Sequence, residues 1–235
     1  MSSGDLATTL RAARAVLFDF DGPICSVFAG FPAPTVAYSL RTSLEERTGK
    51  RLALAPSQAE DPLEVLRLAP TLLGPDVAQV ADDLLTTAET TAAGSASPTP
   101  GGDSSLRACA ATGRRVAIVS NNSGAAVREY LGKHGLTHLV GDAVVGRAYG
   151  KPHLMKPDPS PIEAALRLLG VEPNAAVLVG DSVTDVEASR AAGVACIGYA
   201  NKPGKRDVLA GADAVIEDMR LFAEYLARVP VVAPR

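Results

Sequence analysis

Short apolar segments bounded by turn residues alternate with helical patterns over most of this sequence. Six such segments occur, at residues 15–20, 115–120, 143–146, 176–180, 194–199 and 212–216. Continuous apolar runs of this length are typical of strands that are covered on both faces. Because helical patterns separate them, the sequence predicts an α/β fold with a doubly wound parallel sheet.

One region interrupts the alternation. Between residues 32 and 93 no strand is predicted, and the periodicity is helical. Three helices are expected there, over residues 35–47, 61–73 and 76–91. Asp61 as N-cap and Pro62 at the first helical position mark the start of the second.

Residues rich in Gly, Pro and Ser flank this helical region. The stretch 94–103, GSASPTPGGD, is expected to be a flexible linker. We therefore predict a second domain inserted into the first. The α/β core would comprise residues 1–26 and 98–235, and an α-helical cap would comprise residues 27–97.

Composition excludes several classes of function. The net charge of −3 gives no basic surface for nucleic acid or an anionic membrane. Aromatic residues make up only 4% of the chain, which argues against a platform for base stacking. The three cysteines are far apart and match no metal-site spacing. With no apolar signal or membrane-spanning segment in the sequence, a cytoplasmic protein is expected.

Polar residues follow three of the predicted strands, where a parallel sheet binds its ligands. They are Asp19-Phe20-Asp21-Gly22, Ser120-Asn121-Asn122, and Gly180-Asp181-Ser182 with Asp185. A fourth polar element, Lys156-Pro157, precedes the helix that leads to the third of these strands.

The carboxylates form two close pairs, Asp19 with Asp21 and Asp181 with Asp185. Close carboxylates repel each other unless a cation lies between them, and clustered hard oxygens favour Mg²⁺. Each pair alone could equally be a strand end with helix caps. Two pairs on different strands favour a site.

Ser120 and Lys156 are weaker signals when taken singly. A Ser-Asn-Asn sequence is usually a cap and a turn, although its hydroxyl, amides and backbone N–H groups can hold an anion. A single lysine is usually a solvated charge. Two prolines stiffen the segment around Lys156 and would fix where its ammonium points.

Taken together and in this order, the four motifs resemble those of the haloacid dehalogenase-like (HAD) hydrolase superfamily. The helical insert resembles the small cap of its phosphoglycolate phosphatase-like members. The resemblance implies a Mg²⁺-dependent phosphatase acting on a small phosphorylated metabolite through an aspartyl-phosphate.

The resemblance also implies a role for each residue. Asp19 would be the nucleophile, and Asp21 the general acid and then the general base. Ser120 and Lys156 would bind the phosphoryl group, with weaker help from Asn121. The resemblance further implies a metal site formed by Asp19, the Asp21 carbonyl and Asp181, with Asp185 as a direct or water-mediated ligand.

Two other functions stay open. The first is a phosphomutase of the β-phosphoglucomutase type, and the second is a non-catalytic binding module with the same fold. The acid at Asp21 favours phosphate esters over carbon–halogen bonds, because an alkoxide needs a proton to leave. A monomer or a homodimer is expected, with no nucleic-acid or membrane partner.

One departure from the family pattern follows Gly22, where Pro23 replaces the usual Thr or Val. Proline removes a backbone N–H that could face the phosphate. The amides of Gly22 and Phe20 are expected to remain available. Cys25 is expected to be a small buried apolar residue.

Overall fold

A six-stranded parallel sheet forms the centre of the molecule in the computed structural model, which describes residues 3–229. The strands of the described chain are β1 (Ala15–Phe18), β2 (Cys25–Ser26), β3 (Ser97–Pro98), β4 (Arg115–Val119), β5 (Val144–Val145), β6 (Ala176–Gly180), β7 (Ala195–Tyr199) and β8 (Ala214–Ile216). The sheet order is β5-β4-β1-β6-β7-β8, and β2 and β3 form a separate antiparallel pair.

Twelve α-helices are present in the described residues. They are α1 (Ser3–Ala12), α2 (Ala33–Thr48), α3 (Pro56–Ala59), α4 (Pro62–Leu73), α5 (Val77–Ala93), α6 (Gly102–Ala111), α7 (Gly124–Lys133), α8 (Thr137–Val140), α9 (Ser160–Leu169), α10 (Val183–Ala191), α11 (Lys205–Val208) and α12 (Met219–Arg228). Helices flank the sheet, so the predicted doubly wound fold is confirmed.

The central strand β1 sets the position of the site. Its four residues are all buried, and Phe18 lies in register with Ile118 of β4 and Val179 of β6. Strands β4 and β5 lie on one side of β1, and strands β6, β7 and β8 lie on the other. The carboxyl ends of β1, β4 and β6 therefore meet at one edge, where the strand order switches direction.

Helices α2 to α5 lie in the segment predicted to be a cap, and they pack around a second apolar cluster, to which Met155 also belongs. Its buried residues include Leu40, Leu44, Leu66 and Leu85. Phe28 and Phe31 pack against both this cluster and the cluster around the sheet. The insert is thus a second packed unit joined to the core through aromatic side chains.

Local sequence signals explain where the cap helices begin and end. The Asp61 side chain accepts hydrogen bonds from the N–H groups of Leu63 and Glu64, with Pro62 at the first turn of α4. Gly49 ends α2 with φ of 65°, in the left-handed region that glycine adopts without strain.

The segment 94–103 differs from the flexible linker expected from its composition. Strand β3 pairs with β2, and the Thr99 hydroxyl donates to the Gly22 carbonyl at 2.6 Å. The Thr99 N–H also donates to the Ile24 carbonyl at 3.0 Å. In a flexible linker, these backbone groups would hydrogen-bond to water instead. The segment 94–103 is therefore held against the loop that follows β1.

Among the described residues, no helix is both long enough and apolar enough to span a membrane.

Candidate active site

Asp19 follows β1 and lies at the centre of the sheet edge. Its side chain is largely buried and accepts a hydrogen bond from the Phe20 N–H at 2.7 Å. The Lys156 ammonium lies 3.0 Å from the same carboxylate oxygen. Burial raises the pKa of Asp19 well above its usual range, and the charge of Asp185 adds to this effect, although Lys156 opposes it.

Asp21 lies on the turn after β1, where it has a different environment. Its carboxylate accepts a hydrogen bond from the Val27 N–H at 3.0 Å, at the entrance to the cap. Burial raises the pKa of Asp21, and the hydrogen bond from Val27 only partly offsets the rise. A raised pKa makes it easier for this carboxyl group to keep a proton, as a general acid must.

The turn after Asp21 depends on glycine. Gly22 has φ of 106°, and a Cβ atom there would lie 2.5 Å from the Asp181 carboxyl carbon. The Gly22 N–H donates to the Cys25 carbonyl, and the Phe20 N–H donates to Asp19. The expectation that these two amides stay available for phosphate is therefore wrong, because both already have acceptors within the turn.

Ser120 and Asn121 follow β4 and face the end of β1. The buried Ser120 hydroxyl donates to the side-chain oxygen of Asn122 at 3.2 Å. The Asn121 amide is committed to Lys156: its oxygen accepts from the Lys156 N–H at 2.8 Å, and its nitrogen donates to the Lys156 carbonyl at 3.1 Å. Asn121 therefore holds the main chain that carries the lysine.

Lys156 is buried between two carboxylates. Its ammonium donates to Asp185 at 2.5 Å and to the Val119 carbonyl at 3.0 Å, and it lies 3.0 Å from Asp19. Burial alone would lower the pKa of Lys156, but the charges of Asp185 and Asp19 outweigh burial and raise it. The lysine is thus a fixed positive charge beside Asp19.

The end of β6 supplies the remaining acids. Asp185 is fully buried and accepts hydrogen bonds from the Ser182 N–H at 3.0 Å and the Ser182 hydroxyl at 2.6 Å. Asp181 accepts from the Asn201 side chain at 2.9 Å and from the Lys205 ammonium at 2.5 Å. Asp185 is thus held by the core, whereas Asp181 is held by residues that follow β7.

Asp19, Asp181 and Asp185 have the geometry of a cation site. One carboxylate oxygen from each lies within 4.8 Å of the others. An all-oxygen set of this kind suits a hard divalent cation such as Mg²⁺. The Asp21 carboxylate is outside this group, as expected if only its carbonyl is a ligand.

A cavity of about 280 Å³ opens above these groups, between the core and the cap. The core contributes Asp19, Ser120 and Lys156 among others, and α4 contributes Arg67. The Arg67 guanidinium donates to the Lys156 carbonyl at 3.2 Å and lies 3.6 Å from Glu64. Helix α4 therefore contributes a cation to the cavity that Asp19 also lines.

The structure brings together every site residue predicted from the sequence, and it adds some that were missed. Asn201 and Lys205 hold Asp181, and Asn201 follows β7 in the same way that the other polar residues follow their strands. The strand-end pattern could therefore have found Asn201. Arg67 could not be placed because the orientation of α4 around its axis depends on packing within the cap.

Comparison with known proteins shows similarity to one protein family. A family model described as haloacid dehalogenase-like hydrolase matches residues 71–199. The phosphoglycolate phosphatase of Rhodospirillum rubrum is 31% identical over 229 residues, covering 91% of this chain and 90% of the relative.

A shorter match concerns the phosphomutase alternative. The β-phosphoglucomutase of Mycobacterium bovis is 36% identical over 120 residues, which is 48% of this chain and 45% of the relative. The fold also matches a HAD family hydrolase from Deinococcus radiodurans, solved with bound phosphate and sodium. That structure gives a TM-score of 0.60 at 24% identity and covers 93% of this chain and 97% of its own.

Proposed function

Because this chain belongs to the haloacid dehalogenase-like hydrolase family and is a phosphatase, we propose that it hydrolyses a small phosphorylated metabolite with Mg²⁺ through an aspartyl-phosphate. One observation carries the proposal. Asp19 lies beside the fixed charge of Lys156 and near Ser120, in a cavity that α4 also lines. A carboxylate in this position can attack a phosphoryl group whose charge the lysine offsets.

In the first step, a carboxylate oxygen of Asp19 attacks phosphorus and the bond from phosphorus to the ester oxygen breaks. The proton on Asp21 goes to the departing oxygen, so an alcohol leaves rather than an alkoxide. In the second step, Asp21 takes a proton from water as that water attacks phosphorus. The bond to Asp19 then breaks and inorganic phosphate is released.

Lys156 and Ser120 hold the phosphoryl group during both steps. The lysine offsets negative charge on the group, and the serine hydroxyl turns from Asn122 to donate to a phosphoryl oxygen. Asn121 contributes mainly by fixing the main chain at Lys156. Positioning of this kind supplies much of the rate enhancement in phosphoryl transfer.

The acids also fit the metal that the family implies. Asp19, Asp181 and the Asp21 carbonyl would hold Mg²⁺, and Asp185 would hold it directly or through water. When bound, Mg²⁺ offsets the negative charge that opposes the approach of a carboxylate to a phosphate ester.

Residues 27–97 would act as the cap that closes over the substrate and limits access of water. A cavity of about 280 Å³ suits a small metabolite rather than a polymer. Arg67 favours a substrate with a second anionic or oxygen-rich group, and the relative from Rhodospirillum rubrum is named for phosphoglycolate. A cytoplasmic location and a monomeric or homodimeric state stay predictions.

A phosphomutase is the second candidate, and the similarity to a β-phosphoglucomutase supports it. The two functions differ in the fate of the phosphoryl group. A phosphatase releases inorganic phosphate from a monophosphate, whereas a phosphomutase of this type returns the group to a sugar and needs a bisphosphate activator.

The test uses p-nitrophenyl phosphate with Mg²⁺ and no bisphosphate. We expect turnover by the wild type and a loss of roughly 10⁴-fold or more in kcat for Asp19→Asn, because the amide cannot act as the nucleophile. Circular dichroism should show the same fold for both proteins. Absence of turnover by the wild type would contradict the phosphatase, and full activity of Asp19→Asn would contradict the assigned nucleophile.

A further inference from the structure

A second group of buried charges lies outside the acidic cluster, between the cap helix α5 and the core. Asp82 and Glu89 lie on α5, and Arg147 follows β5. Their exposed fractions are 2%, 0% and 7%. Burying three charged side chains is costly, and such groups can often be replaced by apolar residues without loss of stability. Their placement therefore calls for a reason other than stability.

Glu89 uses both of its carboxylate oxygens. Arg147 donates to the two oxygens at 2.7 Å each. The Ser123 N–H donates to one of them at 2.9 Å, and the Asn122 side-chain amide donates to the other at 3.1 Å. Every partner of Glu89 in this group is a donor, and two of these partners belong to the loop that carries Ser120.

The hydrogen bond from Asn122 determines how its amide group is turned. A carboxylate only accepts, so the nitrogen of the Asn122 amide faces Glu89 and the oxygen faces the Ser120 hydroxyl. The distance from that hydroxyl to the amide oxygen is 3.2 Å, and the Asn122 N–H donates to the hydroxyl oxygen at 3.1 Å. Glu89 is thus connected to Ser120 through one side chain.

Arg147 fixes Glu89 in turn. Its guanidinium donates to Asp82 at 2.6 Å and to the Thr86 hydroxyl at 2.8 Å. The Asp82 carboxylate also accepts from the Gly150 N–H at 2.7 Å. The arginine is held from several directions, so the carboxylate of Glu89 has little freedom to move.

We propose that Glu89 is a positioning residue that holds the loop carrying Ser120 in the place where the hydroxyl can donate to phosphate, through Asn122 and the Ser123 N–H. The inference rests on the proposed function, because it concerns the phosphate-binding role given to Ser120. It assigns the buried charges a part in substrate binding. It also connects the phosphate-binding loop to α5, so that the cap and the core share one hydrogen-bonded unit.

The variant Glu89→Gln tests this inference. Glutamine keeps the shape of the side chain but places an NH₂ donor against Asn122 or Ser123, so one donor loses its acceptor. We expect the affinity for inorganic phosphate in the presence of Mg²⁺, measured by isothermal titration calorimetry, to fall about tenfold. Equal affinity for phosphate in Glu89→Gln and wild type would overturn the inference.

A matched control separates positioning from general loss of stability. Arg114 is also buried and donates to the carbonyls of Leu10 and Val229, away from the site. Arg114→Gln should lower the melting temperature and leave the affinity for phosphate within about twofold of wild type. An equal loss of affinity in this variant would show that stability alone governs binding, which overturns the inference.

The connection through Ser120 is tested by a double-mutant cycle. In a Ser120→Ala background, Glu89→Gln should cause little additional loss of phosphate affinity, because the hydroxyl that Glu89 keeps in place is gone. Additive losses would contradict the connection. Where Glu89→Gln does not fold, Asn122→Ala breaks the same connection and keeps the pair of Glu89 with Arg147. It should weaken phosphate binding to a similar degree, and unchanged binding would overturn the inference.

The wild type distinguishes this inference from the proposed function. A wild-type protein that neither binds nor releases phosphate contradicts the proposed function, and the inference fails with it. A wild type that does both, with variants at Glu89 and Asn122 that bind phosphate equally well, contradicts the inference alone.

Discussion

At the scale of single residues, the site is a balance of buried charges. Lys156 lies between Asp19 and Asp185, and Lys205 pairs with Asp181. When all three carboxyl groups are ionised, the two lysines leave one negative charge uncompensated. Among these five groups, the excess of negative charge favours the binding of a cation.

Burial also raises the pKa of the cysteines, but they have no part in the site. All three lie in the interior as free thiols. Burial raises the pKa of Cys109 and Cys196 to about 12 and raises that of Cys25 as well. The pKa of each thiol is above its usual value, so the reactive thiolate is scarce below pH 10.

We therefore predict that the native protein reacts very slowly with Ellman's reagent at pH 8. Raising the pH to 9.5 should increase the thiolate fraction about 30-fold, because both pH values lie well below the raised pKa values, yet that fraction stays below about 1% and the reaction stays slow. After unfolding in guanidinium chloride, the three cysteines should react promptly. Rapid reaction of one thiol in the native protein would contradict the burial described for it.

At the scale of elements, the sequence predicts those helices and strands that are long or that have clear start and stop residues. Helix α4 is an example, because Asp61 and Pro62 identify its start and Gly74 its end. Strands β2 and β3 have two residues each, which is too short for any periodicity to appear. They form because the chain before and after the cap meets in space, and no local pattern contains that information.

Glycine controls the packing where the chain returns to the core. Gly101, just before α6, has φ of 92°, and a Cβ atom there would lie 2.2 Å from the backbone nitrogen of Arg220 in α12. Gly113 also has a positive φ, of 75°, but a Cβ atom there would have no neighbour within 4 Å. A side chain at Gly113 would therefore cost only backbone strain, whereas a side chain at Gly101 would also clash with α12.

We predict that Gly113→Ala costs about 1 to 2 kcal/mol of unfolding free energy, from the left-handed backbone alone. Gly101→Ala should cost more, because α6 and α12 must also move apart. Urea unfolding followed by circular dichroism measures both values. Equal costs for the two variants would contradict the close approach of α12 to Gly101.

At the scale of the whole molecule, the site exists because the sheet brings distant segments together. The predicted parallel sheet explains why residues near 19, 120 and 181 meet, since they follow β1, β4 and β6. Contacts between the cap and the core were not predictable in this way. Arg147 and Glu89 are 58 residues apart on different units, and only the packed structure shows that they pair.

The central claim is that Asp19 carries the phosphoryl group during turnover. It is tested most directly by adding borohydride to the wild type while it turns over a phosphate ester with Mg²⁺, followed by peptide mass spectrometry. Borohydride reduces an acyl phosphate to an alcohol, so we predict homoserine at position 19 and none without substrate. An unmodified Asp19 during turnover, or modification at another carboxylate, would contradict the proposed mechanism.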